Sequence, residues 1–213
     1  MKLVRQFEQR LDGLLDGLAG RVFSGPLHPT ELATRLIRTA DLSLTDDLIA
    51  HNRFRMVIPD TGEGGVPKDL IDSLEQLIDE AALERGWRLE GPSEVTVTID
   101  PDLRKGSVYM TSDRVPGPRR PWAILSNQQE RIPITVNRST IGRDAGCDVV
   151  IAHDQISRRH CSIWTSNEQM WIKDLGSSNG TFVDGESVSG TPRSFAPGAI
   201  IRLADISYRF EFV

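Results

Sequence analysis

The chain has few of the residues that build disulfide frameworks or metal sites. Its 213 residues include two cysteines, Cys147 and Cys161. They form no C-x-x-C pair and no His/Cys cluster, so the sequence predicts no disulfide framework, no metal site and no cofactor. Both cysteines are expected to be small buried residues.

Long apolar runs are also missing. No stretch approaches the roughly 20 apolar residues that are needed to span a bilayer. The opening MKLVRQFEQRL alternates charged and apolar residues and lacks a continuous apolar core, which argues against a secretory signal. We therefore expect a cytoplasmic protein with no direct membrane insertion.

Charge is unevenly distributed along the chain. Residues 1–113 carry 13 Lys/Arg and 20 Asp/Glu, a net charge of −7, whereas residues 114–213 carry 12 and 10, a net charge of +2. The two values sum to the formal net charge of −5. An acidic half joined to a mildly basic half indicates two units with different partners, and it disfavours nucleic-acid binding by the first half.

The first half has a mixed α and β pattern. Leucines and Phe7 recur at helical spacing between Leu3 and Leu18, and HPTELATRLIRTADL predicts a second helix capped by Thr30. A strand (RFRMVIP), a helix (VPKDLIDSLEQLIDEAALERGW) and two β-rich runs (EVTVTID and GSVYMTS) follow. The short PDLRK connection favours an antiparallel hairpin between these runs. The expected fold is α+β with the order ααβαββ.

The segment Gly62–Gly65 reads G-x-x-G before a helix, as in the backbone-clamping loop of KH RNA-binding domains. Its variable positions include the acidic Glu63, and the surrounding unit is acidic, so a plain strand-to-helix loop is the favoured interpretation.

The second half reads as all-β. RVPGPRRP, residues 114–121, has the composition of a short semi-rigid linker. Beyond it, nine short β-rich runs alternate with turn residues and no helical period appears, which predicts a sandwich or barrel. The expected organisation is an acidic α+β domain at 1–113, a linker at 114–121 and an all-β domain at 122–213.

Two polar motifs in this half require a chemical explanation: ISRRHCSIW, from Ile156, and GSSNGTF, from Gly176. GSSNG fits the hydrolase pattern G-x-S-x-G, but that pattern needs a following helix, and here it lies between two strand-like runs. The remaining chemistry is that of an anion site. Guanidinium groups, hydroxyls and glycine N–H groups suit a phosphate dianion, and the candidates are Arg143, Arg158, Ser157 and Ser178.

These residues resemble the motif of the forkhead-associated (FHA) domain, which is Gly-Arg, then Ser-x-x-His, then Asn-Gly, on loops between strands. The resemblance covers residues 122–213 through TIGRDAGCDVVIAHDQISRRHCSIW and WIKDLGSSNGTFVDG. FHA domains are phosphothreonine-peptide readers built as two antiparallel sheets. The resemblance therefore implies an FHA sandwich of two antiparallel sheets that binds phosphothreonine peptides.

The resemblance also implies a role for each residue. Arg143 and Ser157 would contact the phosphate, with assistance from Ser178 and from the backbone or side chain of Arg158. Asn179 would bond the peptide main chain beside the phosphothreonine. Three residues are implied to be structural, with no ligand contact: Gly142, His160 and Gly180.

Residues 1–113 resemble the N-terminal domain of the actinobacterial FHA protein A family, through VRQFEQRLDGLLDGLAGRVFSGPLHPTELATRLIR and the later ERGW. The resemblance implies a non-catalytic signalling adaptor. It would act downstream of a bacterial Ser/Thr protein kinase in cell-wall or growth regulation, and a phosphorylated membrane protein would recruit it. The implied partners are phosphothreonine proteins, namely the kinase or its substrates. The alternatives are a catalytic N-terminal domain whose FHA domain recruits substrate, and RNA binding by the βαββ part.

Overall fold

The computed structural model describes residues 28–60 and 65–213. The predicted first helix, Leu3–Leu18, and most of the Gly62–Gly65 loop lie outside these residues. The described chain divides into two compact units. The first holds the described residues up to Ala81 together with Leu89–Gly117, and the second holds Ala82–Arg88 together with Pro118–Val213.

Helix α1, Pro29–Leu42, opens the described part of the first unit. Its N-cap is His28, whose Nδ1 accepts a hydrogen bond from the backbone N–H of Thr30 at 3.4 Å. The prediction that Thr30 caps this helix was wrong. Proline lacks an N–H and has a preset φ, so Pro29 takes the first helical position and leaves the residue before it as the cap.

The other elements of this unit are β1, Arg53–Pro59; α2, Lys68–Arg85; β2, Glu94–Asp100; and β3, Tyr109–Asp113. The described order αβαββ agrees with the corresponding part of the predicted ααβαββ. Apolar side chains from the helices and the sheet form a core in which each residue is at most 1% exposed: Leu32, Leu36, Phe54, Met56, Ile58, Leu74, Leu77 and Ile78.

The expected hairpin between β2 and β3 does not form. The sheet order is β2-β1-β3, with β1 parallel to β2 and antiparallel to β3. Strand β1 is central because its alternating Phe54, Met56 and Ile58 are all buried. Crossing one strand takes about 10 Å, which the connection at 101–108 spans easily.

The second unit contains two packed sheets. The six-stranded sheet has the order β11-β10-β13-β14-β4-β5, and the five-stranded sheet has the order β12-β9-β8-β6-β7. Neighbouring strands are antiparallel apart from the short parallel pair β6 and β7. The bounds are β4 Ala123–Ser126, β5 Arg131–Ile134, β6 Ser139–Gly142, β7 Val149–Val150, β8 Cys161–Ser166, β9 Gln169–Asp174, β10 Thr181–Val183, β11 Glu186–Val188, β12 Arg193–Phe195, β13 Ile200–Leu203 and β14 Ile206–Phe212.

All nine β-rich runs of the second half therefore contain strands, and two short strands, β11 and β12, were not predicted. The inner faces bury a continuous apolar core, with Ile141, Ile163, Ile172, Ile201, Leu203 and Phe210 all 0% exposed. Cys147 and Cys161 are free and buried, as predicted. This packed sandwich is the rigid support for the loops at its ends.

Candidate functional site

The strand register brings three loops to one end of the five-stranded sheet. Ile141 on β6 pairs with Cys161 on β8, which pairs with Asp174 on β9. The chain leaves β6, enters β8 and leaves β9 next to this row. We call the connections loop 1, residues 143–148; loop 2, residues 151–160; and loop 3, residues 175–180.

Loops 1 and 2 meet at Gly142, the last residue of β6. A Cβ atom on Gly142 would lie 2.1 Å from the carbonyl oxygen of Arg158, so no larger residue fits without a backbone shift. Two backbone bonds join the loops beside this contact: the N–H of Arg143 donates to the Ser157 oxygen and that of Asp144 to the Arg158 oxygen, each at 3.1 Å. Gly142 therefore lets two phosphate-binding candidates, Arg143 and Arg158, project from adjacent backbones.

The hydroxyl of Ser157 joins loops 2 and 3. Its Oγ accepts a hydrogen bond from the backbone N–H of Ser178 at 3.0 Å. Because the oxygen is the acceptor in this bond, the hydroxyl proton remains available for donation to a ligand. Ser157 is half-buried and Ser178 is exposed, so the pair faces the opening between the loops.

His160 is a buried support beneath loops 2 and 3, with 0% exposure. Its Nδ1 accepts from the Ser157 N–H at 3.2 Å, and its Nε2 contacts the Gly180 carbonyl oxygen at 3.1 Å, which requires a proton on Nε2. Burial lowers the pKa of His160, and the bond to Gly180 and the charge of Asp174, which both raise it, offset this effect only in part. The neutral ring thus holds the backbone on both sides of the opening.

Asp174 organises loop 3, and it was missed at the level of the sequence. Its Oδ1 accepts from the N–H groups of Gly176 and Ser177 at 2.8 and 2.9 Å, and its Oδ2 accepts from the hydroxyls of Ser177 and Thr181 at 2.5 and 2.6 Å. Burial alone would raise the pKa of Asp174, but these four bonds lower it overall. The signal was present as an Asp directly before the turn sequence L-G-S-S.

Asn179 lies at the exposed tip of loop 3 and connects it to loop 2. Its Nδ2 donates to the backbone oxygen and to the side-chain Oε1 of Gln155, both at 2.8 Å. Loop 3 then ends at Gly180, whose φ of +81° is a backbone conformation that favours glycine. The Asn179 side chain is therefore fixed in position beside the opening.

Between the loops lies an open cleft of about 650 Å³. Its lining includes four residues that were predicted to contact phosphate: Arg143, Ser157, Arg158 and Ser178. It also includes residues that were not predicted: Thr140, Asp144, Gly146, Cys147, Arg159 and Gly176. Asn179 is not part of the lining and stands beside it.

Three guanidinium groups, those of Arg143, Arg158 and Arg159, surround this cleft and are exposed. Within residues 28–60 and 65–213, no side chain forms an ion pair or hydrogen bond with any of them. Asp144 is the carboxylate in the lining, and its Oδ1 already accepts from the Gly146 N–H at 2.8 Å. The cleft therefore carries positive charge that a bound anion would neutralise.

Within residues 28–60 and 65–213, no three His, Cys, Asp or Glu residues lie close enough together to hold a metal ion. No described helix is both long and apolar enough to cross a membrane.

Comparisons with known protein families identify the class of domain in the second unit. The FHA domain model matches residues 139–204, which contain all three loops, so the second unit carries an FHA domain. A second model, described as FhaA, N-terminal domain, matches residues 4–111, just over half of the 213 residues. The chain belongs to this FhaA family.

Individual curated relatives are similar over little more than a third of the chain. Mouse proliferation marker protein Ki-67 is 30% identical over 79 residues, which are 37% of this chain and 2% of that protein. The protein phosphatase 1 regulatory inhibitor subunit PPP1R8 homolog of Arabidopsis thaliana is 35% identical over 78 residues, which are 35% of this chain and 21% of that protein. The chain thus spans a small part of these curated relatives.

Mycobacterium tuberculosis EmbR in complex with a low affinity phosphopeptide is 28% identical, with a TM-score of 0.40, over 42% of this chain and 24% of that chain.

Proposed function

We propose that the second unit binds phosphothreonine peptides at the cleft between loops 1, 2 and 3. The observation that carries this proposal is the group of three guanidiniums around one open cleft, Arg143, Arg158 and Arg159, which have no side-chain partner among the described residues. A phosphate brings about −1.5 to −2 charges and three acceptor oxygens. Arginine can engage it with two parallel bonds.

Each phosphate ligand has a defined contribution. Arg143 supplies charge and a bidentate donor, and Ser157 supplies the hydroxyl proton that its bond from Ser178 leaves free. Arg158 and the Ser178 N–H or hydroxyl complete the set at the cleft wall. Asn179 would bind the peptide main chain next to the phosphothreonine, because its fixed amide lies just outside the lining.

The expected affinity follows from these contacts. Charge-assisted hydrogen bonds contribute about 1.5–3 kcal/mol each, while association costs at least about 4 kcal/mol. Four such bonds at the upper end of this range leave about −8 kcal/mol, a Kd near 1 μM. Such an affinity suits reversible signalling.

The proposal for the whole chain is a non-catalytic adaptor. Its FHA unit would dock onto a phosphothreonine on a Ser/Thr protein kinase or a kinase substrate, and its acidic first unit would contact a second partner. Membership of the FhaA family supports this wider role. By the same family resemblance, the pathway would be kinase control of cell-wall synthesis or growth, with recruitment to a phosphorylated membrane protein.

The direct test uses the full chain and a degenerate phosphothreonine peptide library, from which one strongly bound peptide is selected. Arg143→Ala and Ser157→Ala should each weaken binding of that peptide at least about tenfold, since each removes a charge-assisted bond. Arg209→Ala is the charge-matched control, because Arg209 lies exposed on the six-stranded sheet and is not part of the cleft lining. Full binding by both cleft variants would contradict the proposal.

A further inference from the structure

The second unit includes a segment that lies well before the FHA domain in the sequence. Residues Ala82–Arg88 belong to the same compact unit as Pro118–Val213, although the FHA domain model matches only 139–204. Two side chains of the sandwich fix the backbone of this segment. Asn137 Nδ2 donates to the Ala82 oxygen at 3.2 Å, and Arg138 Nε donates to the Gly86 oxygen at 2.6 Å.

At the end of this segment, Arg88 forms a bidentate ion pair with Asp148. Arg88 Nη1 donates to Asp148 Oδ2 at 3.1 Å, and Nη2 donates to Oδ1 at 2.7 Å. Both side chains are 21% exposed. A fork-to-fork pair with this little solvent exposure is geometrically specific, unlike most surface ion pairs.

Asp148 connects this pair to the cleft. It is the last residue of loop 1, and its Oδ2 also accepts from the backbone N–H of Thr140 at 2.8 Å. Thr140 lies in the cleft lining three residues before Arg143, and Cys147, beside Asp148, also lies in the lining. One carboxylate therefore ties both ends of the backbone that carries Arg143.

The contact also has an electrostatic consequence. Without Arg88, Asp148 would present an unbalanced negative charge next to a cleft proposed to hold a phosphate dianion. With Arg88 in place, that charge is paired, and the guanidiniums around the cleft act on the ligand. Burial alone would raise the pKa of Asp148, but the Arg88 and Thr140 bonds lower it, so the carboxylate is ionised at neutral pH.

We infer that Arg88 is a positioning residue for the phosphate site, acting through Asp148 on loop 1; this inference rests on the proposed phosphopeptide function. The binding-competent FHA unit of this chain then extends to residues 82–88, outside residues 122–213 that the sequence assigned to it. Arg88 itself is not part of the cleft lining.

The test measures peptide affinity in full-length variants by isothermal titration, with the phosphothreonine peptide selected by the wild-type chain. Arg88→Ala should weaken binding about threefold to tenfold, the size of a coupling between contacting residues. Arg88→Lys keeps the charge and should recover part of the affinity. Arg209→Ala should bind like wild type, and thermal melts should show that every variant is folded at the titration temperature.

A double-mutant cycle with Asp148→Asn separates positioning from a general loss of stability. If Arg88 acts through Asp148, the double variant Arg88→Ala/Asp148→Asn should bind no more weakly than Asp148→Asn alone. Additive losses in the cycle, or an Arg88→Ala variant that binds like wild type, would overturn the inference. Failure of the wild-type chain to select any phosphothreonine peptide would instead overturn the proposed function, so the two failures are distinct.

Discussion

Replacing Gly142 with alanine tests how the sandwich holds loops 1 and 2 together. The new Cβ would lie 2.1 Å from the Arg158 oxygen, 2.8 Å from the Arg158 carbonyl carbon and 3.0 Å from the Arg159 Cα. All three neighbours are backbone atoms, so no side chain can rotate away to relieve the overlap. Loop 2 must move away from loop 1.

The cost can be estimated from the contacts that this movement disturbs. Overpacking of a tightly packed site costs about 1–3 kcal/mol. The two backbone bonds between the loops, Arg143 N–H to Ser157 and Asp144 N–H to Arg158, contribute about 0.5–1.5 kcal/mol each and lie next to the overlap. We expect Gly142→Ala to lower the free energy of unfolding of the second unit by about 2–6 kcal/mol, the upper value applying if both bonds are lost.

Differential scanning calorimetry of the full chain measures this effect. For a unit of about 100 residues, 2 kcal/mol corresponds to a fall in Tm of about 8–16 °C. Binding of the selected phosphothreonine peptide should weaken at least about tenfold, because Arg143 and Arg158 move apart.

Gly190→Ala is the matched control for this substitution. A Cβ atom at Gly190 meets no atom within 4 Å. If Gly142→Ala and Gly190→Ala melted within about 1 °C of each other, equivalent to roughly a quarter of a kcal/mol, the close approach of loops 1 and 2 would be wrong.

Two further predictions concern pH and the supports of loops 2 and 3. Burial lowers the pKa of His160 in the folded chain, so the unfolded chain binds the extra proton at higher pH than the folded chain does. The contribution of His160 to stability should therefore be full above about pH 6.5 and should fall as the pH drops towards 5. In urea titrations at several pH values, His160→Gln should remove this dependence. A pH-independent wild type would contradict the buried neutral ring. Asp174 has a lowered pKa, so its contribution to stability is full above about pH 4 and is lost in more acidic solution. Asp174→Asn should lower the free energy of unfolding by about 1–3 kcal/mol at pH 7. A variant as stable as wild type would contradict the four-bond arrangement of loop 3.

Much of the site could be predicted because its motifs are local in sequence. Gly142-Arg143, Ser157 to His160 and Asn179-Gly180 each place chemistry and turn geometry within a few residues. The alternating pattern of the strands then requires these loops to lie at sheet ends. Their arrangement at one common end follows from the strand register, which the sequence does not state.

The parts that were missed depend on distant pairing or weak local signals. The β2 and β3 runs were predicted to pair with each other because they are neighbours, but the buried residues of β1 take the central position between them. Strands β11 and β12 are three residues long and are separated by Ser, Gly, Thr and Pro, a composition typical of a loop.

The pair of Arg88 and Asp148 joins residues 60 positions apart. The helix and strand periodicities of the sequence do not predict a contact between residues so far apart. The predicted domain boundary at residues 114–121 stays a prediction.

The most direct test of the central claim is isothermal titration of the full chain with three matched peptides that carry phosphothreonine, phosphoserine or unmodified threonine. We predict a Kd near 1 μM for the phosphothreonine peptide, about −8 kcal/mol, and no detectable binding of the unmodified one. Phosphoserine should bind at least about fourfold more weakly, because it lacks a methyl group worth about 0.8 kcal/mol on burial. Equal binding of all three peptides, or undiminished phosphothreonine binding by Arg143→Ala, would show that the cleft does not read phosphothreonine.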